Sequence, residues 1–228
     1  LAAGFGKRMM PLTKNKPKPL IEINGITLLE NSINFLTKLG CEDIIINGHY
    51  KYLQLQEYIK QNYSNKNIKF VYEKDILDTG GGVINAIPYF SNKNIIVINS
   101  DVYWQKKNLL DVKLLINYYL KNINMYLLLS RKNMSYGLNK NAGDFIIRDG
   151  KVYKFNNDKE IIYYSGLQIL HKTHLEFFNN KKFSFNDIWS YFINNKSLYG
   201  HIMTSDWYHV GDLQGLNIAK KLDLIKIF

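Results

Sequence analysis

Apolar residues along this chain fall into short unbroken runs separated by stretches with helical spacing. Asp43-Ile44-Ile45-Ile46-Asn47, Ile95-Ile96-Val97-Ile98 and Met125-Tyr126-Leu127-Leu128-Leu129 are strand-sized and lack polar alternation, the pattern of strands covered on both faces. After Thr27, the apolar positions Leu28, Leu29, Phe35, Leu36 and Leu39 predict a helix that Gly40 ends. Helical patterns also cover Tyr52 to Tyr63 and Leu109 to Leu120, Ile68 to Tyr72 reads as a strand, and a short helix is expected over Val83 to Ala86 after a glycine run. This alternation predicts a three-layer α/β fold with a Rossmann-like, mixed, mainly parallel sheet.

Two stretches depart from the alternation. Pro11, Pro17 and Pro19 forbid a regular helix near the start, so that segment is extended or turned until the short strand Leu20 to Ile23, which the turn pair Asn24-Gly25 closes. Around Asp149-Gly150, Phe145 to Ile147 and Val152 to Phe155 read as a hairpin, a small antiparallel insertion in the sheet. A strand at Ile161 to Leu170, a helix at Phe185 to Ile193, a strand at Tyr199 to Met203 and a helix from Leu213 to Ile225 complete the expectation. With no internal repeat and no linker composition, residues 1–228 are expected to form a single domain, with an active-site half and an inserted half.

Composition narrows the class of protein. No apolar run approaches the roughly 18 residues of a membrane span. The first residues carry no apolar segment of signal-peptide length, and the single Cys41 cannot form an intrachain disulfide, so the chain reads as cytoplasmic with no membrane partner. Thirty Lys and Arg against nineteen Asp and Glu give a net charge of +11, which favours anionic ligands. The lysines are dispersed and their densest clusters, Lys14 to Lys18 and Lys220-Lys221, are short, so nucleic acid is not the expected partner.

Ligands of open α/β sheets bind beyond the carboxyl ends of the strands, which directs attention to three loops. Gly4-Phe5-Gly6-Lys7-Arg8 combines glycines that let amides approach phosphate oxygens with two cations. It is not the dinucleotide fingerprint, because Met9 stands where a third glycine is needed, nor a P-loop, because Arg8 follows Gly-Lys. By itself it fits a structural turn as well as a phosphate site. Asp78-Thr79-Gly80-Gly81-Gly82 places three glycines in succession, as close approach of a flat base requires, although a mobile loop has the same composition. Asn99-Ser100-Asp101 ends the most apolar strand and sets a carboxylate, a hard-cation ligand or a turn residue, at the ligand-binding edge.

In their order along the chain these features resemble the sugar-1-phosphate nucleotidyltransferase family. Leu1-Ala2-Ala3-Gly4-Phe5-Gly6-Lys7-Arg8-Met9-Met10-Pro11-Leu12-Thr13 followed by Lys16-Pro17-Lys18-Pro19-Leu20 is similar to its long signature. The likeness continues through Thr79 to Gly82, Asn99 to Val102, Tyr164 to Leu167 and Trp207 to Asp212, and is nearest to the short, single-domain N-acetylmuramate-1-phosphate uridylyltransferase type, with no C-terminal β-helix. The implied fold is glycosyltransferase-A-like, with a nucleotide-binding half over about 1–130 and a sugar-phosphate half over about 131–210. The implied reaction is nucleotidyl transfer from a triphosphate, UTP by this likeness, to a sugar-1-phosphate, N-acetylmuramate-1-phosphate by this likeness, with release of pyrophosphate, by a monomer or small homo-oligomer. Guanylyl transfer to mannose-1-phosphate, uridylyl or thymidylyl transfer to glucose-1-phosphate and cytidylyl transfer to phosphocholine share the fold, and a weakened nucleotide- or sugar-phosphate-binding protein is the non-enzymatic alternative.

The resemblance implies site residues one by one. Leu1, Ala2, Ala3, Gly4, Gly6, Lys18, Gly80 and Gly81 would meet the nucleotide, with Arg8 facing the leaving pyrophosphate and Lys18 at the reacting centre. Asp101 and His209 would hold Mg²⁺, with Mn²⁺ as the alternative, and Gly143, Ser165 and Gly166 would lie on the sugar-phosphate side. This chain departs from the family in three respects. The family's apolar residues ahead of Leu-Ala-Ala-Gly are expected to lie outside the sequence. His209 stands where an aspartate is usual, either as a metal ligand, for which a neutral imidazole suits Mn²⁺ or Zn²⁺ better than Mg²⁺, or as a residue that supports the metal site or contacts the sugar, with Asp212 a candidate to compensate. Asn156-Asn157-Asp158-Lys159-Glu160 occupies the region of the family's Glu-Lys pair. Trp104, Tyr136, Tyr163, Trp189 and Trp207 are candidate stacking rings, a role that core or surface packing accounts for more often.

Overall fold

The computed structural model describes residues 1–64, 67–138 and 140–222. A hairpin of β1 (Glu22–Ile23) and β2 (Ile26–Thr27) turns at Asn24 and Gly25, both at positive φ, the geometry that Asn-Gly supplies. Thr27 then caps α1 (Leu28–Lys38), its Oγ1 accepting the Glu30 amide at 3.0 Å, and Leu28, Leu29, Ile33 and Phe35 form the buried face. The chain continues through β3 (Ile44–Gly48), α2 (Tyr52–Asn62), β4 (Ile68–Tyr72), α3 (Asp78–Ala86), β5 (Asn94–Ile98), β6 (Val102–Tyr103) and α4 (Asn108–Lys121). Its second part comprises β7 (Met125–Arg131), β8 (Ser135–Tyr136), β9 (Phe145–Arg148), β10 (Lys151–Lys154), β11 (Ile162–His171), α5 (Phe185–Asn194), β12 (Leu198–Ile202), β13 (Trp207–His209) and α6 (Leu213–Ala219).

The main sheet runs β5-β11-β7-β12-β10-β9, β3 and β4 form a separate parallel pair, and β6-β13-β8 a small third sheet. Strand β7 shows why an unbroken apolar run belongs at the centre. Successive side chains point to opposite faces, so Met125, Leu127 and Leu129 enter one core with Val83, Ile188 and Phe192, while Tyr126 and Leu128 enter the other with Phe35, Val112 and Leu115. Helices therefore cover both faces, giving the expected α/β layering.

Three sequence expectations are corrected. The sheet is mixed but not mainly parallel: β11 runs antiparallel to both β5 and β7, and the parallel pairs among the described residues are β3–β4, β7–β12 and the short β8–β13. Long apolar strands record burial on both faces and not ladder direction, so the pattern could not separate the two. The glycine run is not a loop before a helix but part of α3, which begins at Asp78. The last helix is described over Leu213–Ala219, and residues 223–225 of the expected segment lie outside the described residues. The hairpin insertion is present as β9 and β10, with Asp149 and Gly150 both at positive φ. No described helix is long and apolar enough to cross a membrane. Among the described residues β3 and β5 do not pair, and a trough of about 320 Å³ lies between them.

Candidate active site

The carboxyl ends of β3, β4 and β5 converge with the opening loop on a cleft of about 360 Å³. Leu1, Ala2, Ala3, Gly4, Gly6, Arg8, Lys18 and Asp101, far apart in sequence, all line it. Ser100 N donates to Leu1 O at 3.2 Å, and Ala2 N donates to Asn47 Oδ1 at 2.8 Å, which ties the opening loop to the ends of β5 and β3. Gly6 has φ of 64°, and a Cβ there would stand 2.9 Å from Thr13 Cγ2 and 3.0 Å from Lys18 Cβ, so only glycine lets the loop close over Lys18. At Gly4 an added Cβ would meet nothing within 4 Å, so protein packing does not require that glycine. The amides of Ala3, Gly4 and Gly6 have no partner among the described residues, as an anion cradle requires.

Lys18 is held between buried Pro17 and Pro19, and its Nζ lies 2.9 Å from Asp101 Oδ2 and 3.4 Å from Gly211 O. Burial alone would raise the Asp101 carboxyl, but the Lys18 ammonium, with His209 and Arg8 beyond it, holds that carboxyl well below the ordinary range. Asp101 is thus a carboxylate at any physiological pH. Val210 N donates to Asp101 O at 2.7 Å, and His209 pairs with Val102, which brings β13 alongside the Asp101 loop. Arg8 is exposed on the cleft rim and forms no ion pair among the described residues.

A second cavity of about 580 Å³ adjoins on the other side of Asp101, its wall including Gly143, Gly166, Tyr164, Trp189, Trp207 and His209. Burial lowers the His209 pKa, and Lys18 and Arg8 act in the same direction against Asp101 and Asp212. The imidazole is therefore neutral near pH 7 and a competent metal ligand. No group of three or more His, Cys, Asp or Glu forms a metal cage among the described residues. A divalent cation here would have Asp101 and His209 as candidate protein ligands and complete its shell with substrate phosphate oxygens and water; an imidazole in that set fits Mn²⁺ or Zn²⁺ better than Mg²⁺. Asp212, the candidate to compensate for the missing aspartate, lines neither cavity, and its Oδ1 caps α6 by accepting Gly215 N at 2.9 Å.

Several expected site residues lie elsewhere. Gly80 and Gly81 are buried inside α3, where an added Cβ would stand 2.6 Å from the Phe183 ring and 2.4 Å from Lys181 O respectively. The glycines therefore admit the 181–183 segment, whose Phe183 O accepts both their amides at 3.0 and 3.1 Å. Ser165 is fully buried and its Oγ donates to Leu128 O at 2.8 Å, so its hydroxyl is not presented to the cavity. Trp104 stacks on Phe35 in the core and Tyr163 is equally buried, whereas Tyr136 stacks on Tyr208. Glu160 pairs with Arg131 at 2.5 Å, and neither Lys159 nor Glu160 lines the second cavity.

Sequence reasoning missed Asn47 and Glu73. Asn47 Nδ2 donates to Glu73 Oε1 at 2.6 Å and Leu77 N to Glu73 Oε2 at 3.2 Å, with Glu73 only 2% exposed yet on the cleft wall. The available signal was positional: each is a polar residue at or just after the carboxyl end of a strand that feeds the ligand edge.

An amide-lined loop and a Lys-Asp pair between two cavities form an arrangement suited to phosphorylated ligands. The nucleotidyl transferase family pattern matches residues 1–224, and the chain belongs to that family. It is 33% identical over 104 residues to D-glycero-alpha-D-manno-heptose 1-phosphate guanylyltransferase of Campylobacter jejuni, covering 46% of this chain and 47% of that protein. It is 35% identical over 103 residues to the bifunctional protein GlmU of Francisella tularensis, covering 45% of this chain and 21% of that protein. The matched stretches thus span about half or less of these relatives. The crystal structure of HddC from Yersinia pseudotuberculosis superposes with a TM-score of 0.79 at 24% identity, covering 96% of each chain, a likeness of fold.

Proposed function

We propose that the protein transfers a nucleotidyl group from a nucleoside triphosphate to a sugar-1-phosphate. The observation that carries this reading is that Asp101, paired with Lys18, forms part of the wall of both cavities, so ligands in the two would meet there. An oxygen of the acceptor phosphate attacks the α-phosphorus, the new P–O bond forms as the bond to the β-phosphate oxygen breaks, and pyrophosphate leaves with that electron pair. The acceptor is already an anion, so positioning and charge neutralisation are what the protein must supply. Lys18 faces the reacting phosphates, the free amides of Ala3, Gly4 and Gly6 cradle the triphosphate, and Arg8 takes the departing charge. A divalent cation on Asp101 and His209 would supply Lewis-acid neutralisation of the phosphate oxygens.

The resemblance of the sequence points to UTP and N-acetylmuramate-1-phosphate, the heptose-1-phosphate relative to guanylyl transfer. Glu73 lies on the wall of the nucleotide cleft, but its two carboxyl oxygens already accept from Asn47 Nδ2 and Leu77 N, so it does not choose between the bases. Pyrophosphate release with product masses, over GTP, ITP, UTP, CTP, dTTP and ATP against heptose-, mannose-, glucose- and N-acetylmuramate-1-phosphates and phosphocholine, tests both levels with Mg²⁺ and Mn²⁺. GTP ahead of the other triphosphates supports guanylyl transfer, and UTP ahead of GTP supports uridylyl transfer. Silence across the matrix contradicts the transferase reading.

A further inference from the structure

We propose that Lys154 supplies the countercharge for an oxyanion of the acceptor substrate in the second cavity, an inference that rests on the transfer reading above. The cavity wall carries Asp101 and Asp144 as its carboxylates and Lys140 and Lys154 as its ammonium groups. Asp101 is paired with Lys18 and Asp144 with Lys140, and Asp144 also accepts the Tyr164 amide. Lys154 forms no ion pair or hydrogen bond through its side chain among the described residues, which leaves one uncompensated positive charge on this wall. Its side chain is exposed but its backbone is held: Lys154 ends β10 opposite Phe145, and the next residue, Phe155, donates its amide to Asp144 O at 3.3 Å. The Phe155 ring closes over Gly143, where a Cβ would stand 2.7 Å from it. Trp189, also on the cavity wall, is fixed by its Nε1 donating to Gln168 Oε1 at 2.7 Å, and it meets Tyr164 edge to face, a ring pair suited to a sugar ring. An aromatic wall and one unpaired ammonium together fit a small anionic carbohydrate.

The oxyanion is either the acceptor's phosphate or a carboxylate elsewhere on the sugar, and binding of two ligands separates them. Mannose-1-phosphate carries the phosphate alone, whereas N-acetylmuramate-1-phosphate carries both groups. Isothermal titration of the wild-type chain, Lys154→Met and Lys154→Arg with each ligand, and with GTP, reads binding without requiring turnover. Lys154→Met is expected to weaken sugar-phosphate binding by about tenfold or more while GTP binding stays within about twofold, with Lys154→Arg retaining most of the affinity. Equal losses for both ligands identify the phosphate, and a loss confined to the carboxylated ligand identifies the carboxylate; either supports the proposal. Unchanged affinity in Lys154→Met overturns it, as does a wild-type chain that binds GTP but neither sugar phosphate. Lys154-dependent binding without turnover would instead sink the transferase reading and leave this assignment standing.

Discussion

Lys18 Nζ stands 2.9 Å from Asp101 Oδ2 across 83 positions of sequence, at the boundary of the two cavities. The pair sets the charge of the reacting centre, and each member supports a separate prediction.

Lys18→Ala removes a preorganised cation and leaves Asp101 unneutralised. Turnover is expected to fall by more than about 100-fold with folding intact by circular dichroism. Near-normal turnover would remove Lys18 from the mechanism.

Asp101→Asn removes the one carboxylate shared by both cavities. It is expected to abolish the Mg²⁺ or Mn²⁺ response along with most of the rate, measured by metal titration of pyrophosphate release. Because the folded carboxyl is held below its unfolded value, its contribution to stability is present above about pH 4 and is lost as pH falls further. Melting curves from pH 7 to pH 3 should therefore show a shallower acid loss in Asp101→Asn than in the wild type.

Gly211 and His209 are sterically matched, since a Cβ at 211 would lie 2.2 Å from His209 Nε2. Gly211→Ala must push the imidazole aside and is expected to cost about 1–3 kcal/mol, lowering Tm by several degrees. In a His209→Ala background the same substitution should cost much less. Equal penalties in the two backgrounds would show that the imidazole does not occupy that space.

The glycines of α3 predict a stability effect where a base-contact role predicts a binding effect. Gly81→Ala would set a Cβ 2.4 Å from the Lys181 carbonyl oxygen, so Tm should drop sharply whether or not nucleotide is present. Unchanged Tm with weakened nucleotide affinity would return Gly81 to the base site.

His201, on β12, is half-buried with Nε2 unpartnered among the described residues, and burial lowers its pKa against the opposing influence of Asp111. A histidine held neutral in the fold stabilises above its unfolded pKa of about 6.5 and loses that contribution as pH falls. Denaturant unfolding between pH 7.5 and 5 should show falling stability with a gentler slope in His201→Phe; identical slopes would exclude His201 as a source.

The opening loop, Lys18 and Asp101 were legible in the sequence because their chemistry is local: glycines between cations, a lysine between prolines, a carboxylate after an apolar strand. Unbroken apolar runs located β5 and β7 for a similar reason, since burial on both faces leaves its mark residue by residue. The direction of β11 was not legible, because it depends on which neighbours the strand pairs with. The glycines of α3 misled because a glycine admits a protein segment as readily as a ligand, and only Phe183 and Lys181, about 100 positions away, decide between them. Ser165 misled in the same way, its hydroxyl turned to Leu128 O by a sheet contact that sequence does not display. Glu73 escaped notice because one carboxylate among nineteen acidic residues carries no mark of burial.

The most direct test of the central claim follows the oxygens of the acceptor phosphate. With a sugar-1-phosphate labelled with ¹⁸O in its non-bridging positions and the triphosphate that the substrate matrix selects, mass spectrometry of a completed reaction locates the label. Direct attack on the α-phosphorus predicts that the nucleoside diphosphate sugar retains all of it and that pyrophosphate carries none. Labelled inorganic phosphate, or a sugar nucleotide free of label, would contradict the account.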